Sequence, residues 1–239
     1  MRFKKHLNEG IFDKIFGKGK QKDASITEED IMTVLDDRDV QPERDIRIIK
    51  DPKFINMRLS YGATPFHLYL ATRDITQAAD NPKYIELLNT IFSHPEFNTA
   101  RDKDGNTPAH IIAFVVPYRT KPAVDLVYSS MARIQNNVGV TPLHIFARRG
   151  FDYVVDSQYF YRLKDDGGNT PAHYYARYKY KNGLASESEV EELKRSLQGK
   201  RIENNGGYTP IDVMTRDTGF SMYSRMEAPP YLLRKFLYT

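Results

Sequence analysis

The chain has 239 residues, of which 40% are hydrophobic and 12% aromatic, so it carries enough apolar side chains for one sizeable folded domain. It contains no cysteine, which excludes disulfides, thiolate metal sites and cysteine nucleophiles, and no apolar run approaches the roughly 20 residues that cross a bilayer. The 35 Lys and Arg against 31 Asp and Glu leave a net charge of +4, too small to indicate nucleic-acid binding unless the cations cluster. These features predict a soluble protein without a membrane span, cytoplasmic unless a targeting segment directs it elsewhere.

Residues 1–23 are predicted to be a basic leader and linker. Seven Lys and Arg within residues 1–22 stand against Glu9 and Asp13, and the segment ends in GKGKQKD, a composition typical of a flexible linker. Within it, GIFDKIFGKGK places its isoleucines and phenylalanines on one side among lysines, so a short membrane-surface helix is one interpretation.

A second interpretation concerns the first ten residues, MRFKKHLNEG. They resemble the capsid-targeting leaders of internal head proteins from T-even-like bacteriophages, which end in Leu-x-Glu before a small residue. The resemblance implies cleavage between Glu9 and Gly10, packaging in the virion interior and later delivery into the host cytoplasm together with the DNA.

Residues 24–54 are predicted to form an N-terminal helical cap. From Ser25 onward, SITEEDIMTVLDD begins with a helix-capping residue, places acidic residues in the first turn and then carries apolar residues at helical spacing. Such a cap covers the apolar end of the elements that follow it.

From about residue 55 a short motif recurs five times: glycine followed two residues later by Thr-Pro. The copies are Gly62, Thr64 and Pro65; Gly105, Thr107 and Pro108; Gly139, Thr141 and Pro142; Gly168, Thr170 and Pro171; and Gly207, Thr209 and Pro210. Glycine permits a positive φ, threonine caps a helix, and proline suits the first helical turn. Each copy therefore predicts a tight turn followed by the start of a helix.

Three residues after each threonine the chain carries a histidine in four copies and an aspartate in the fifth. These are His67, His110, His144, His173 and Asp212. The strings TPFH, TPAH, TPLH, TPAH and TPID resemble the TPLH signature of ankyrin repeats over residues 55–239. The resemblance implies an all-α solenoid of about five irregular helix-turn-helix repeats with helical end caps. It also implies that the histidines bond their own threonine and neighbouring backbone, whereas a metal site would need ligands that converge.

The copies depart from the ankyrin pattern in one respect, and the remaining elements follow helical periodicity. Two residues after each histidine the side chain is bulky (Tyr69, Ile112, Phe146, Tyr175), which predicts an altered contact between repeats. Residues 83–92 and 187–197 are predicted to be second helices, residues 151–163 a distorted one, and residues 228–239 a C-terminal cap.

Ankyrin proteins bind partners through the turns and the exposed end of the first helix, which here implies two groups of candidate contacts. The turn group comprises Lys103, Asp104, Asn106, Asn137, Val138, Val140, Asp166, Asn169, Asn205 and Tyr208. The helix-end group comprises Arg148, Arg149, Arg177, Tyr178 and Arg216, with Arg73 near the corresponding place in the first copy. Stacked repeats would align these arginines in a positive stripe suited to carboxylates or phosphates.

No motif indicates catalysis, a metal site or a cofactor, and the start of a calcium loop in DKDGN at 102–106 is interrupted by the repeat motif. The sequence therefore predicts a non-enzymatic protein-protein interaction module with no small-molecule substrate. On the phage interpretation it would bind and inhibit a host protein. Two alternatives stay open: a structural or assembly protein of a virion, and nucleic-acid binding through the arginine-tyrosine stripe.

Overall fold

A computed structural model describes residues 31, 35, 40–59, 62–72, 82–116 and 129–217. Four predicted features lie outside these residues, wholly or for the most part. They are the leader with its cleavage position Glu9–Gly10, the helix from Ser25 apart from Ile31 and Leu35, Arg73, and the C-terminal cap at 228–239. In the described ranges every regular element is helical, so the all-α prediction is confirmed.

The α-helices and two 3₁₀ turns follow one another along the chain. They are α1 (Pro42–Ile49), α2 (Pro52–Asn56), α3 (Pro65–Thr72), α4 (Pro82–Ser93), α5 (Glu96–Thr99), α6 (Pro108–Val115), the 3₁₀ turn Ser130–Arg133, α7 (Pro142–Arg148), the 3₁₀ turn Asp152–Asp156, α8 (Pro171–Lys181), α9 (Glu187–Ser196) and α10 (Pro210–Thr215). None of these helices is long and apolar enough to cross a membrane.

All five copies of the motif start a helix, as predicted. The glycine has a φ between +70° and +77° in every copy, a backbone conformation that residues with a Cβ adopt only under strain. The proline is the first residue of α3, α6, α7, α8 and α10, where no helical hydrogen bond needs its missing N–H. The element starts therefore follow from local backbone chemistry.

The five helices that begin at the motif pack side by side in chain order. Helix α3 contacts α6, α6 contacts α7, α7 contacts α8, and α8 contacts α10. The bulky residues after the histidines, Tyr69, Ile112, Phe146 and Tyr175, are all buried in the core between these helices. One continuous core consequently runs along the stack.

The second elements are less regular. Helices α4 and α9 confirm the predictions at 83–92 and 187–197 to within a residue or two at each end. The third copy, which has the shortest spacing to its successor, has only the 3₁₀ turn Asp152–Asp156 where residues 151–163 were predicted to form a distorted helix. Gly150, at φ +77°, follows the end of α7, and the ring centres of Phe146 and Phe151 lie 5.0 Å apart.

Two short helices precede the first copy. Helix α1 packs on α4 and α2 packs on α3, with Ile31 and Leu35 buried in the same core. The Tyr69 hydroxyl donates to the buried Asp45 carboxylate at 2.8 Å, which joins α1 to the first motif helix. Helices α1 and α2 therefore pack against the first copy and its second helix, and α2 ends at Asn56.

Candidate partner-binding surface

Each turn before a motif helix is closed by its own first residue. In the turn at 102–106 the Asp102 N–H donates to the Asn106 carbonyl at 3.0 Å. The Asp102 carboxylate accepts the backbone N–H groups of Asp104 at 3.0 Å and of Asn106 at 2.8 Å. The turns at 136–140, 165–169 and 204–208 have the same backbone closure. The carboxylate of Asp102, the first residue of DKDGN, thus stabilises the turn.

Backbone hydrogen bonds also join each turn to the next. The backbone N–H of the second residue of one turn donates to the carbonyl oxygen of the third residue of the preceding turn. The N···O distances are 3.0 Å from Asn137 to Asp104, 3.2 Å from Asp166 to Val138, and 2.9 Å from Asn205 to Gly167. Because these three hydrogen bonds join four successive turns, the turn tips have fixed positions relative to one another.

The histidines form a second, buried ladder. Each Nδ1 lies 2.8–2.9 Å from the threonine hydroxyl of its own motif and accepts that threonine's N–H. Each Nε2 lies 2.9–3.1 Å from a carbonyl of the following turn. This network assigns the proton to Nε2, which donates across the repeats. The structural role that the resemblance implied is therefore present in all four copies.

Burial keeps these histidines neutral. It lowers the pKa of His110 to about 3, and those of His144 and His173 to about 4, while the pKa of His67 is also lowered. A nearby Asp165 charge opposes the shift at His144 and His173 without cancelling it. A neutral imidazole with both nitrogens engaged suits a structural bridge between repeats.

The turn residues divide into two groups by exposure. Lys103, Asp104, Asn137, Asp166 and Asn205 are exposed at the tips, and Val138 is half-buried beside them. By contrast, Asn106 is 5% exposed, Val140 0% and Asn169 4%. The prediction that Asn106, Val140 and Asn169 contact a partner is therefore corrected.

The two asparagines that stand fifth in their turns, Asn106 and Asn169, point inward because their side chains belong to the network between turns. The Asn106 amide donates to Asp102 at 3.1 Å and accepts from Asn136 of the next turn at 2.9 Å. Asn169 makes the same pair of contacts, donating to Asp165 and accepting from Asn204 at 2.8 Å. A side chain engaged on both sides in this way has no surface left for a partner.

Most arginines of the predicted stripe are engaged within the protein. Arg149 donates to the Ala113 carbonyl at 2.8 Å and lies over the Phe151 ring. Arg177, whose side chain is 12% exposed, lies 3.5 Å from the Asp217 carboxylate. Arg216 is paired with Asp212 at 2.6 Å. Arg148 is half-buried at the end of α7. Two arginines of the stripe are thus paired with carboxylates, and a third is directed to a backbone carbonyl.

The two tyrosines among the predicted contacts also pack against the chain. A Cβ added at Gly150 would collide with the Tyr178 ring, so that ring lies directly on the glycine backbone of the preceding repeat. Tyr208 is half-buried, and its carbonyl accepts the His173 bridge. Tyr178 is held between repeats, while Tyr208 retains a partly exposed ring.

One set of bridging residues was not predicted from the sequence. The residue before each turn sends its side chain to the equivalent backbone carbonyl of the next repeat: Arg101 to Gln135 at 2.8 Å, Gln135 to Lys164 at 2.9 Å, and Lys164 to Glu203 at 3.1 Å. The signal was a long polar side chain at a constant offset from each motif glycine. It is visible only once the repeats are aligned on that glycine.

Among the described residues, no group of three or more His, Asp or Glu side chains is placed to hold a metal ion. No family model matches the chain, and no curated protein sequence is significantly similar to it. Inferences about function therefore rest on the geometry and charge of the turns and helices.

Proposed function

We propose that the protein is a non-enzymatic protein-binding module of ankyrin type. Its partner would contact the exposed turn tips, which are Lys103, Asp104, Asn137, Val138, Asp166 and Asn205. The ladder of backbone hydrogen bonds between the turns is the observation that supports this proposal most directly. A surface whose backbone is already fixed loses little conformational entropy when a partner binds.

The charges at the tips favour a protein partner. Lys103 carries a positive charge, Asp104 and Asp166 carry negative charges, and Asn137 offers a neutral amide. The Asn137 Nδ2 donates to the Lys103 carbonyl at 3.0 Å, so the orientation of this amide is set. Mixed signs at fixed positions suit a complementary protein surface better than a uniformly charged polymer.

Nucleic-acid binding through the arginine stripe receives less support. Arg177 and Arg216 lie beside the carboxylates of Asp217 and Asp212, which reduce the positive potential that phosphates would meet. Arg149 is directed to a backbone carbonyl of the neighbouring repeat. A partner that binds at the stripe would have to displace these contacts first.

The resemblance of residues 1–10 to phage leaders extends the proposal to the partner's origin. On that basis the protein is packaged in a virion, cut between Glu9 and Gly10, and delivered into a bacterium, where it binds and inhibits a host protein. The mass of the protein isolated from virions tests this extension, since cleavage removes nine residues.

The proposed function is tested by affinity capture from bacterial lysate with the full chain. The turn-tip variant Asp104→Lys/Asp166→Lys reverses two exposed charges, and the control Glu187→Lys/Glu192→Lys reverses two exposed charges on α9. Circular dichroism melts establish that both variants fold.

We expect one host protein to be retained by the wild type and the control and lost by the turn-tip variant. Equal retention by both variants would show that the tips do not bind it, and nuclease-sensitive capture would favour nucleic acid. A specific turnover activity in the purified protein would contradict the non-enzymatic assignment.

A further inference from the structure

A second set of cations recurs in consecutive repeats, away from the turn tips. Arg133, Arg162 and Arg201 each stand three residues before the first residue of a turn, and all three are exposed. Lys200 precedes Arg201 and is also exposed. We call these four residues the pre-turn row. Because the turns they precede are bonded to one another, the arginines occupy equivalent places in successive repeats.

Two tyrosines of the third repeat hold three of these four cations in place. The Arg133 guanidinium donates to the Tyr159 hydroxyl at 2.6 Å and lies 4.6 Å from the centre of that ring. Lys200 donates to the Tyr161 hydroxyl at 2.9 Å and lies 4.1 Å from its ring centre, with Arg162 at 5.5 Å on the same ring. Cations from three repeats therefore rest on one aromatic pair.

The row has an excess of positive charge. In the described part of the chain no carboxylate pairs with Arg133, Arg162 or Lys200, whereas Arg201 pairs with Glu203 at 2.6 Å. The hydrogen bond from Lys200 lowers the pKa of Tyr161, which reflects the same positive surroundings. Exposed cations fixed side by side favour an anionic partner.

The aromatic rings decide which anion fits. Single-stranded nucleic acids bind through open aromatic faces on which bases stack. Here Tyr161 is 8% exposed and already carries two cations, and the ring of Tyr159 is occupied by Arg133. The Arg201–Glu203 pair, in contrast, shows a carboxylate bound to a member of the row. Guanidinium groups recognise carboxylates with two parallel hydrogen bonds.

We propose that the pre-turn row binds an extended acidic segment, rich in Asp and Glu, of a protein partner. This inference rests on the proposed protein-binding function for the class of partner, but it uses residues distinct from the turn tips. The partner's carboxylates would lie along Arg133, Arg162 and Arg201 from one repeat to the next.

The test measures fluorescence anisotropy of a labelled peptide of alternating Glu and Ser, titrated with the full chain at low and at physiological salt. The row variant Arg133→Ala/Arg162→Ala is compared with Lys50→Ala/Lys181→Ala, which removes the same charge from exposed positions outside the row. The row variant should bind about tenfold more weakly, since each exposed ion pair contributes a few-fold, and the control should stay within about twofold of wild type.

Two further samples make the outcome decisive. Arg133→Lys/Arg162→Lys keeps the charge but loses the guanidinium fork, so it should bind more weakly than the wild type and more tightly than the alanine variant. Equal weakening in the row and control variants, or tighter binding of a single-stranded oligonucleotide than of the peptide at the same salt, would overturn the proposal. The turn-tip variant should still bind the peptide, so failure of this inference and failure of the proposed function are separate results.

Discussion

The Nε2 atom of His144 lies 3.1 Å from the carbonyl oxygen of Asn169, in the turn that begins the next repeat. In the fifth copy Asp212 occupies the equivalent position and binds the Thr209 hydroxyl at 2.7 Å and its N–H at 2.9 Å. The aspartate therefore reproduces the cap within its own motif, but a carboxylate has no N–H donor with which to reach the carbonyl of another turn. Histidine both caps a helix and bridges two repeats, whereas aspartate only caps.

The difference between these two residues predicts unequal losses of stability. His144→Ala removes the cap, opens a cavity in the core and leaves the buried Asn169 carbonyl without its donor, so the free energy of unfolding should fall by about 3 kcal/mol. Asp212→Ala removes only a partly exposed cap and should cost about 1 kcal/mol. Urea denaturation of the two variants gives both values. Equal losses would show that the bridge contributes nothing.

The buried histidines predict a loss of stability in mild acid. Histidine in the unfolded chain titrates near 6.5, whereas the pKa of His110 is lowered to about 3 and those of His144 and His173 to about 4. Between these pH values the unfolded chain binds more protons than the folded protein does. The stability that the neutral histidines contribute is therefore complete above pH 6.5 and declines as the pH falls towards 4. The slope of the free energy of unfolding against pH should approach about 1.4 kcal/mol per pH unit for each such histidine.

Urea midpoints at pH 7, 6 and 5 measure this slope. His173→Gln provides the comparison, because one titrating site is removed while the other buried histidines remain. The variant should be less stable at pH 7 but should lose stability less steeply on acidification. A wild-type midpoint that is constant from pH 7 to pH 5 would contradict the neutral, buried assignment.

Two turn glycines with the same φ should respond differently to alanine. Gly168 (φ +74°) and Gly207 (φ +76°) both lie in the left-handed region, where alanine costs about 1 kcal/mol. A Cβ at Gly168 would also lie 2.9 Å from the backbone nitrogen of Asn205 in the next turn, whereas no described atom approaches a Cβ at Gly207. Gly168→Ala should therefore cost about 3 kcal/mol in total.

Thermal or urea unfolding of the two glycine variants distinguishes backbone strain from the close approach of the next turn. If Gly168→Ala costs no more than Gly207→Ala, the bonded turns are less closely packed than described. A further check is hydrogen exchange of the Asn205 amide, which should become faster in Gly168→Ala alone.

Two arginines of the predicted stripe should have different roles. Arg149 is half-buried and donates to the Ala113 carbonyl at 2.8 Å, so Arg149→Ala should lower the free energy of unfolding by about 1–2 kcal/mol. Arg216 is exposed and pairs with Asp212 on its own helix, so Arg216→Ala should change it by less than about 0.5 kcal/mol. Chemical denaturation measures both, and a larger effect at Arg216 would reverse the assignment.

Helix starts and turns were predictable because their causes are local. The positive φ of Gly105, the cap from Thr141 and the first-turn place of Pro171 each depend on a few neighbouring residues. Helices α4 and α9 were equally predictable, since the spacing of their apolar residues reflects one buried face. The shortened third copy also signalled in advance that its second element would be irregular.

The identity of the surface was not predictable in the same way. Asn106 and Lys103 stand in one turn, yet Asn106 is buried because Asn136 of the next repeat bonds to it, and Lys103 is exposed. Arg149 and Arg177 form hydrogen bonds with residues 36 and 40 positions away along the chain, namely Ala113 and Asp217. A local sequence pattern cannot indicate such distant hydrogen-bond partners.

The sequence by itself thus determined where each motif helix begins, which residues cap it and that the regular elements of the described residues are helical, because these properties depend on backbone conformations set within a few residues. Only the tertiary structure decided which polar side chains bridge repeats and which face solvent. That choice depends on stacking, which brings donors and acceptors from different repeats within hydrogen-bond distance and buries one side of every turn.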